Sequence, residues 1–478
     1  MRPITAFEKW SYAVGNIPYA VKDTAFGTFV VFYYTQVLGL SGTMAGLAML
    51  IALSWDAISD PIVGSWSDAV RSRWGRRHPL MLAGGVPTAL CLLLLFSPPD
   101  SLDEFQVFLW LVVVSILLRT FLTIYHIPYT AMGAEMSDDY DERTVIAKAR
   151  ITIAWLGGMA LPAVAYTLIF QAQGDIDGRL IAENYFHYGV LSALVAAVTA
   201  LYCVWGTRSI IAHLPQAIDQ PLTLSLKKPL TDLLLAMRNI NFRQTIGTKL
   251  AFGIAAGIYT VMGLYLGTYF WEFSTEQLAG LLIPTLFGTL TAFFVLNRLG
   301  RRYDKPQLIS VICLAFAVNT IWFLAGRLFG LLPENGHPIL YPLIIIQTYI
   351  SVLLIVSLQV LGVSLLADIL DEHQLQTGIR QEGVFFAASA FVYKATTGFG
   401  NFAAGIAVDA AGLQPGAAPG SVAEPVLLSL GWFMVLSAGI CCFIAWHCAR
   451  RVKLGRSKVE EIRLQLTAVD GQALPGPR

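Results

Sequence analysis

Charge is scarce in this chain of 478 residues. Asp, Glu, Lys and Arg together make up 13 %, about half the share usual in soluble proteins. Neither sign dominates: 32 Lys and Arg stand against 31 Asp and Glu, so the net charge of +1 gives no basic field to hold a nucleic acid. Cysteine is sparse and unpatterned. Cys91, Cys203, Cys313, Cys441, Cys442 and Cys448 fall in apolar runs without C-x-x-C spacing, which excludes a disulfide-stapled secreted protein. Catalytic signatures are missing too: there is no H-E-x-x-H, no G-x-S-x-G and no G-x-G-D beside an apolar-run aspartate, so no enzyme is expected. The opening MRPITAFEKWSYAVGN lacks a short apolar core followed by a small-residue cleavage site, and reads as a cytoplasmic tail rather than a signal peptide. What abounds is apolar: 56 % of the chain, with a mean hydropathy of +0.62. This is the composition of a polytopic membrane protein.

A hydrocarbon core of about 30 Å needs roughly 20 apolar residues per helix. Measured against that length, the sequence offers spans at 14–38, 43–66, 79–98, 105–130, 146–170, 186–207, 246–271, 278–297, 307–328, 338–366, 383–408 and 427–449. Arg71, Arg73, Arg76 and Arg77 follow the second span, and Arg298, Arg301, Arg302 and Lys305 the eighth; the other side offers only Arg179 and Arg327 beside acids such as Asp100, Asp103, Glu104 and Glu272. The positive-inside rule puts both termini in the cytoplasm. The connection 208–245 carries three prolines and divides the chain into six-helix halves at 1–207 and 246–449, followed by a cytoplasmic tail at 450–478. SRWGRRHP and NRLGRRYDKP repeat a Gly-Arg-Arg turn after the second and eighth spans. Two such halves are the architecture of the major facilitator superfamily, an all-α membrane fold of twelve helices.

Ionisable groups inside a bilayer are costly and each needs a reason. Asp56 and Asp60, in S-W-D-A-I-S-D-P, are four apart, so a helix sets both carboxylates on one face about 6 Å apart. Two bare carboxylates do not share a dry site: either a cation sits between them or one holds a proton, unless they pair with basic groups to stitch helices together. Lys22 and Asp23 are adjacent in the first span, about 100° apart on a helix, and are not expected to face one partner. A cavity-facing Asp23 accepts hydrogen bonds from a polar ligand; at the helix end it snorkels instead. In F-L-T-I-Y-H-I-P-Y-T, Pro128 kinks the fourth span beside Thr123 and His126. Lys394 lies too deep in the eleventh span to snorkel easily, and a carboxylate partner is expected, Asp56 or Asp60. Arg119 and Lys249 are left without a role.

The W-D-A-I-S-D-P-I-V-G string, the following R-S-R-W-G-R-R-H-P, and I-P-Y-T-A-M-G-A-E-M-S-D-D-Y-D-E-R-T resemble the glycoside–pentoside–hexuronide:cation symporter family of the major facilitator superfamily. The resemblance runs from K-D-x-x-x-G in the first span to V-Y-K in the eleventh. It implies a coupling Na+, Li+ or H+ at Asp56 and Asp60 (the metal ligands if the ion is Na+), helped by the Thr123 hydroxyl, with Lys394 adjacent. It places solute hydroxyls on Asp23, His126 and Arg150, next to Lys22. The family's acid in the fourth span is His126 here, and the aromatic expected four residues later is Thr130. A carboxylate accepts two hydroxyls where a neutral histidine accepts one and donates one, so the family's sugar specificity does not carry over.

Gly64-x-x-x-Asp68 with Gly75-Arg76-Arg77 resembles the superfamily's loop signature, and Asp68 near Arg76 is expected to act as a cytoplasmic gate. Asp138, Asp139, Asp141, Glu142 and Arg143 form a second mixed-charge loop, and Asp368, Asp371, Glu372 and Arg380 a third. The expected activity is cation-coupled symport of a sugar or glycoside across a bacterial inner membrane. The partners are a small solute and the bilayer, with no nucleic acid and no cofactor beyond the coupling ion, and the protein acts as a monomer. The alternative is a lysophospholipid or other amphiphile symporter; the Tyr33/Tyr34 and Tyr125/Tyr129 pairs lean toward sugar.

Overall fold

The computed structural model describes residues 4–137, 139–214, 236–378 and 382–472. Among them there is no strand, only an isolated bridge between Gln173 and Ile176. The helices are α1 Ala6–Val14, α2 Ile17–Thr24, α3 Gly42–Ala69, α4 His78–Leu95, α5 Glu104–Glu135, α6 Tyr140–Val164 and α7 Ala182–Gly206. They continue with α8 Ile240–Tyr265, α9 Leu282–Leu299, α10 Lys305–Leu328, α11 Leu340–Thr377, α12 Glu382–Ala411, α13 Glu424–Ala449 and α14 Arg456–Gln472. Ten described helices are long and apolar enough to cross a membrane. The segments expected at 14–38 and 383–408 are helical as well but are not among those ten. Large apolar side chains such as Leu168, Leu194, Phe294, Val311 and Val318 stand more than half exposed on these helices, the surface of a protein whose solvent there is lipid.

Packing sorts the chain into two compact units. One draws on the described residues of Met1–Leu224, Gly263–Ala279 and Asn401–Val426; the other on those of Ser225–Met262, Gly280–Gly400 and Leu427–Arg478. The division falls once inside the connection 208–245, at Leu224/Ser225, and again within α8, α12 and α13.

In the first unit the first span is not one helix. It breaks between α1 and α2 at Gly15-Asn16, where Pro18 starts the new helix, and loosens into wider five-residue turns at Ala25–Phe29 and Tyr33–Val37. A Cβ on Gly15 would lie 2.5 Å from Cys203 Sγ and 2.7 Å from the Tyr129 ring, so only glycine lets the break sit against α5 and α7. Two tyrosines of α5 take up backbone carbonyls there: Tyr125 donates to Gly15 O at 2.7 Å and Tyr129 to Tyr12 O at 2.9 Å.

At the opposite end of the first unit, α3 begins against α12. A Cβ on Gly405 would lie 2.0 Å from the Gly42 carbonyl oxygen, and one on Gly46 would lie 2.6 Å from Phe402 Cα, so the two backbones touch. Small residues permit this closeness inside a membrane. Asp409 then caps α3 from α12, accepting from Ser41 Oγ at 2.7 Å, Gly42 N at 2.6 Å and Thr43 N at 2.7 Å. Tyr265 Oη bonds Thr35 Oγ1 at 2.6 Å, Tyr269 donates to Gln36 Oε1 at 2.9 Å, and Arg179 donates to Thr268 at 3.0 Å.

The second unit has its own core, in which Phe252, Phe316, Leu365, Ile369 and Phe385 take part. α8 crosses α12 at Gly257 and Gly400, where a Cβ on Gly400 would meet the Gly257 backbone at 2.8 Å. The tail expected at 450–478 contributes α14, whose Arg463 bonds Asp368 at 3.2 Å and Asp371 at 3.4 Å on α11.

Candidate functional site

The expected carboxylate pair stands on α3, and α5 lies beside it in matching steps of four. Arg119 Nη1 donates to Asp56 Oδ2 at 2.6 Å, and Thr123 Oγ1 donates to Asp60 Oδ1 at 3.1 Å. Asp56 and Arg119 are 7 % exposed each, so this is a fully buried ion pair. Such a pair repays the desolvation of its charges only while both partners remain. Thr123 thus lies beside Asp60. Arg119, left without a role by the sequence, is a partner of Asp56. The signal was available in its spacing: Arg119 and Thr123 repeat the i, i+4 step of Asp56 and Asp60.

The four residues expected to touch solute are joined by aromatic rings in a single strip. Lys22 donates to Asp23, and its ammonium stands 4.3 Å over the centre of the Tyr19 ring. The Tyr19 ring stacks on the His126 ring at 4.3 Å and 22°, and the His126 ring lies 5.7 Å from that of Tyr129. Tyr129 stacks on Tyr12 at 4.7 Å, and Arg150 Nη1 reaches the Tyr12 hydroxyl at 3.5 Å. His126 Nε2 also pairs with Asn16 Oδ1 at 3.2 Å, at the break of the first span.

Lys22 and Asp23 pair with each other, the four-carbon lysine stem folding back across the 100° between their directions. The tyrosine pairs give no polar lining: Tyr34, Tyr125 and Tyr129 are buried, and their hydroxyls are used on the carbonyls of Leu95, Gly15 and Tyr12. Tyr19, which the sequence reading passed over, supplies the aromatic surface beside His126. Its signal was its place one turn before Lys22 and Asp23.

At the arginine-rich end of the first unit, Asp68 is 3.9 Å from Arg76 and 2.8 Å from Arg77. Glu135, at the end of α5, holds both arginines, at 2.7 Å from Arg76 and 2.5 Å from Arg77, and Arg77 also donates to Ser67 at 2.6 Å. The expected Asp68–Arg76 contact is therefore the weakest member of a four-residue cluster centred on Glu135, with both arginines buried and Asp68 exposed. Lys9 pairs with Glu142 at 2.7 Å nearby. Asp138 and Arg380 lie outside the described residues.

In the second unit Lys394 stands half-buried on α12. Asp368 is buried and takes Lys305 and Arg463, while Glu372 accepts from Asn239 at 3.0 Å and Asn241 at 2.9 Å. Lys249 donates to Ser389 at 2.7 Å, in a space that only glycine at 362 leaves open.

The model of one family, described as MFS/sugar transport protein, matches residues 11–456. The chain belongs to this family. It is 21 % identical to the isoprimeverose transporter of Lactiplantibacillus pentosus, over 91 % of this chain and 86 % of that protein. To the sodium-dependent lysophosphatidylcholine symporter 1-A of Danio rerio it is 24 % identical, over 87 % of this chain and 80 % of that one. Among solved structures, the xylose transporter XylE from E. coli in an inward-open conformation aligns over 96 % of this chain and 98 % of that one, with a TM-score of 0.59 at 12 % identity. The fold is that of the major facilitator transporters, all-α and membrane-embedded, and the glycoside–pentoside–hexuronide:cation symporter resemblance holds for this member of the MFS/sugar transport family.

Proposed function

We propose that the protein is a secondary active transporter that moves a sugar or glycoside together with a cation by alternating access. The observation that carries the solute class is the run Asp23–Lys22–Tyr19–His126, charged and polar groups beside one aromatic face, with Arg150 tied to it through the buried rings of Tyr12 and Tyr129. Sugar rings offer hydroxyls at their edges and C–H faces between them, and small-molecule sites match such ligands with a few placed polar groups on an aromatic wall.

The coupling step is assigned to Asp56, Asp60 and Thr123. Filling that site and filling the strip each favour the other by the same factor, because coupling between two sites is reciprocal. The cluster of Asp68, Arg76, Arg77 and Glu135 holds one end of the first unit, and the contact of α3 with α12 holds the other. We place both termini and the Gly-Arg-Arg turns in the cytoplasm of a bacterial inner membrane, and the protein acts as a monomer. No bond of the solute is made or broken in the cycle.

The test is uptake of a panel of radiolabelled glycosides, pentosides and lysophosphatidylcholine into proteoliposomes carrying an imposed cation gradient. Gradient-dependent accumulation of a glycoside or sugar supports the proposal. Accumulation of the lysolipid alone would replace it with the amphiphile reading.

A further inference from the structure

In the second unit α10 and α13 run side by side. A Cβ on Gly439 would lie 3.5 Å from Ile321 Cδ1, and farther along the pair the Phe329 and Trp432 rings meet at 5.6 Å. Where α10 begins and α13 ends, beside the Gly300-Arg301-Arg302 turn, the two helices part around a cavity of 420 Å³.

The mouth of this cavity is polar and incompletely bonded. Arg450 lines it, its guanidinium 4.8 Å over the centre of the Trp446 ring. Among the described residues no carboxylate pairs with Arg450, and a guanidinium keeps its charge in a protein. Ser310 also lines the cavity; it is 7 % exposed, and among the described residues its hydroxyl has no hydrogen-bond partner. Asp304, the acid on the same wall, is already used: it accepts from Arg456 N at 2.9 Å, at the start of α14, and puts no side-chain cap on α10. The first-turn N–H groups of α10, that of Gln307 among them, are therefore open to a ligand. Lys305 is turned away to Asp368.

Beyond the mouth the wall becomes apolar. Val311 and Val318 on α10, and Phe443 and Ile440 on α13, are each more than half exposed, and the Phe443 ring lies 5.4 Å from that of Trp446. Their spacing along each helix keeps them on one face, so an apolar track leads from the cavity into the bilayer. Phosphate oxygens suit both a guanidinium and an uncapped helix N-terminus, and tryptophan belongs at headgroup depth. A free phosphate would fill the mouth and leave the track unused. With Asp304 bonded, the open charge is that of Arg450, which selects an anionic headgroup over a zwitterionic one.

We propose that this cavity binds one anionic phospholipid of the adjoining leaflet, its phosphodiester held by Arg450, Ser310 and the start of α10, and its acyl chains laid along Val311 and Phe443. The site stands apart from the solute and coupling residues of the first unit.

The experiment is native mass spectrometry of the full-length protein, stripped of lipid in detergent and titrated with dioleoylphosphatidylglycerol or dioleoylphosphatidylethanolamine. The wild type should take up one phosphatidylglycerol about tenfold more tightly than phosphatidylethanolamine, and excess inorganic phosphate should not displace it. Arg450→Ala should weaken phosphatidylglycerol uptake about tenfold, Arg450→Lys less, since it keeps the charge and loses the planar fork. Ser310→Ala should weaken it as well. Arg298→Ala removes an exposed arginine at the end of α9 that does not line the cavity, and should change nothing. Equal uptake of phosphatidylethanolamine would overturn the proposal, as would displacement by inorganic phosphate or uptake indifferent to Arg450→Ala. An equal loss in Arg298→Ala would also overturn it, by showing a general basic field instead of a site. Uptake unchanged in Ser310→Ala would remove Ser310 from the site. Arg450 is exposed, so its variants decide even where Ser310→Ala does not fold.

Discussion

Gly405→Ala is a one-carbon change whose effect is set by the contact between α3 and α12. The new Cβ would lie 2.0 Å from the Gly42 carbonyl oxygen and 2.7 Å from its carbon. Neither atom is the tip of a flexible side chain, so the two helices must separate. Adding a methyl to a packed contact costs about 1–3 kcal/mol. That cost falls on the state in which this end is closed and is absent where it is open, so the equilibrium should shift roughly 5- to 150-fold toward the open form. The Asp409 bonds to Ser41, Gly42 and Thr43 weaken as the helices part, which adds to the shift. The assay is maleimide labelling of a cysteine placed at Thr43, in vesicles of known sidedness and in a background from which the native cysteines are removed. Labelling in Gly405→Ala should rise at least fivefold, and Asp409→Ala alone, losing an exposed helix cap worth about 1 kcal/mol, should raise it about fivefold. A Gly405→Ala protein that melts like wild type and labels no faster would refute the claim that this contact closes the end.

Glu135→Gln leaves Arg76 and Arg77 buried with only the exposed Asp68 as acid partner, so it should destabilise the detergent-solubilised protein by about 3 kcal/mol; an unchanged melting temperature would show that Asp68 alone suffices. His126→Ala should raise the KM for the transported solute about tenfold, the equivalent of one polar contact of about 1.4 kcal/mol, with cation binding measured without solute unchanged. Tyr19→Ala should raise KM comparably while Tyr19→Phe stays near wild type, because the ring faces and not the hydroxyl join Lys22 to His126; equal effects of the two changes would point to the hydroxyl instead.

Much of this was readable along the chain. The apolar runs mark the spans because no water is available inside a bilayer to satisfy an irregular backbone. The four-residue step from Asp56 to Asp60 marks a shared helix face, and Thr123 was found beside it. What could not be read was partner choice between distant segments. Arg119 meets Asp56 only because α5 packs alongside α3, and Glu135 takes Arg76 and Arg77 because α5 ends beside them. The 100° between Lys22 and Asp23 on the helix left open that the flexible lysine stem turns back onto its neighbour, as it does. Tyr125 and Tyr129 look like site aromatics in sequence, yet the break at Gly15-Asn16 frees carbonyls that their hydroxyls must satisfy. The hybrid makeup of the first unit was hidden too, since it rests on glycines at 42, 46 and 405 that are far apart in the chain.

The most direct test of cation-coupled symport at the α3 carboxylates is the steady-state accumulation ratio of the transported glycoside in energised membrane vesicles, compared between wild type and Asp60→Asn, with solute exchange followed in the same vesicles. The wild type should concentrate the solute well above the external level and lose that gradient when the membrane is de-energised. Asp60→Asn should bring the solute only to equality while still exchanging it, because the solute strip is intact and only the coupling carboxylate is gone. An Asp60→Asn protein that concentrates solute as wild type does would contradict the assignment.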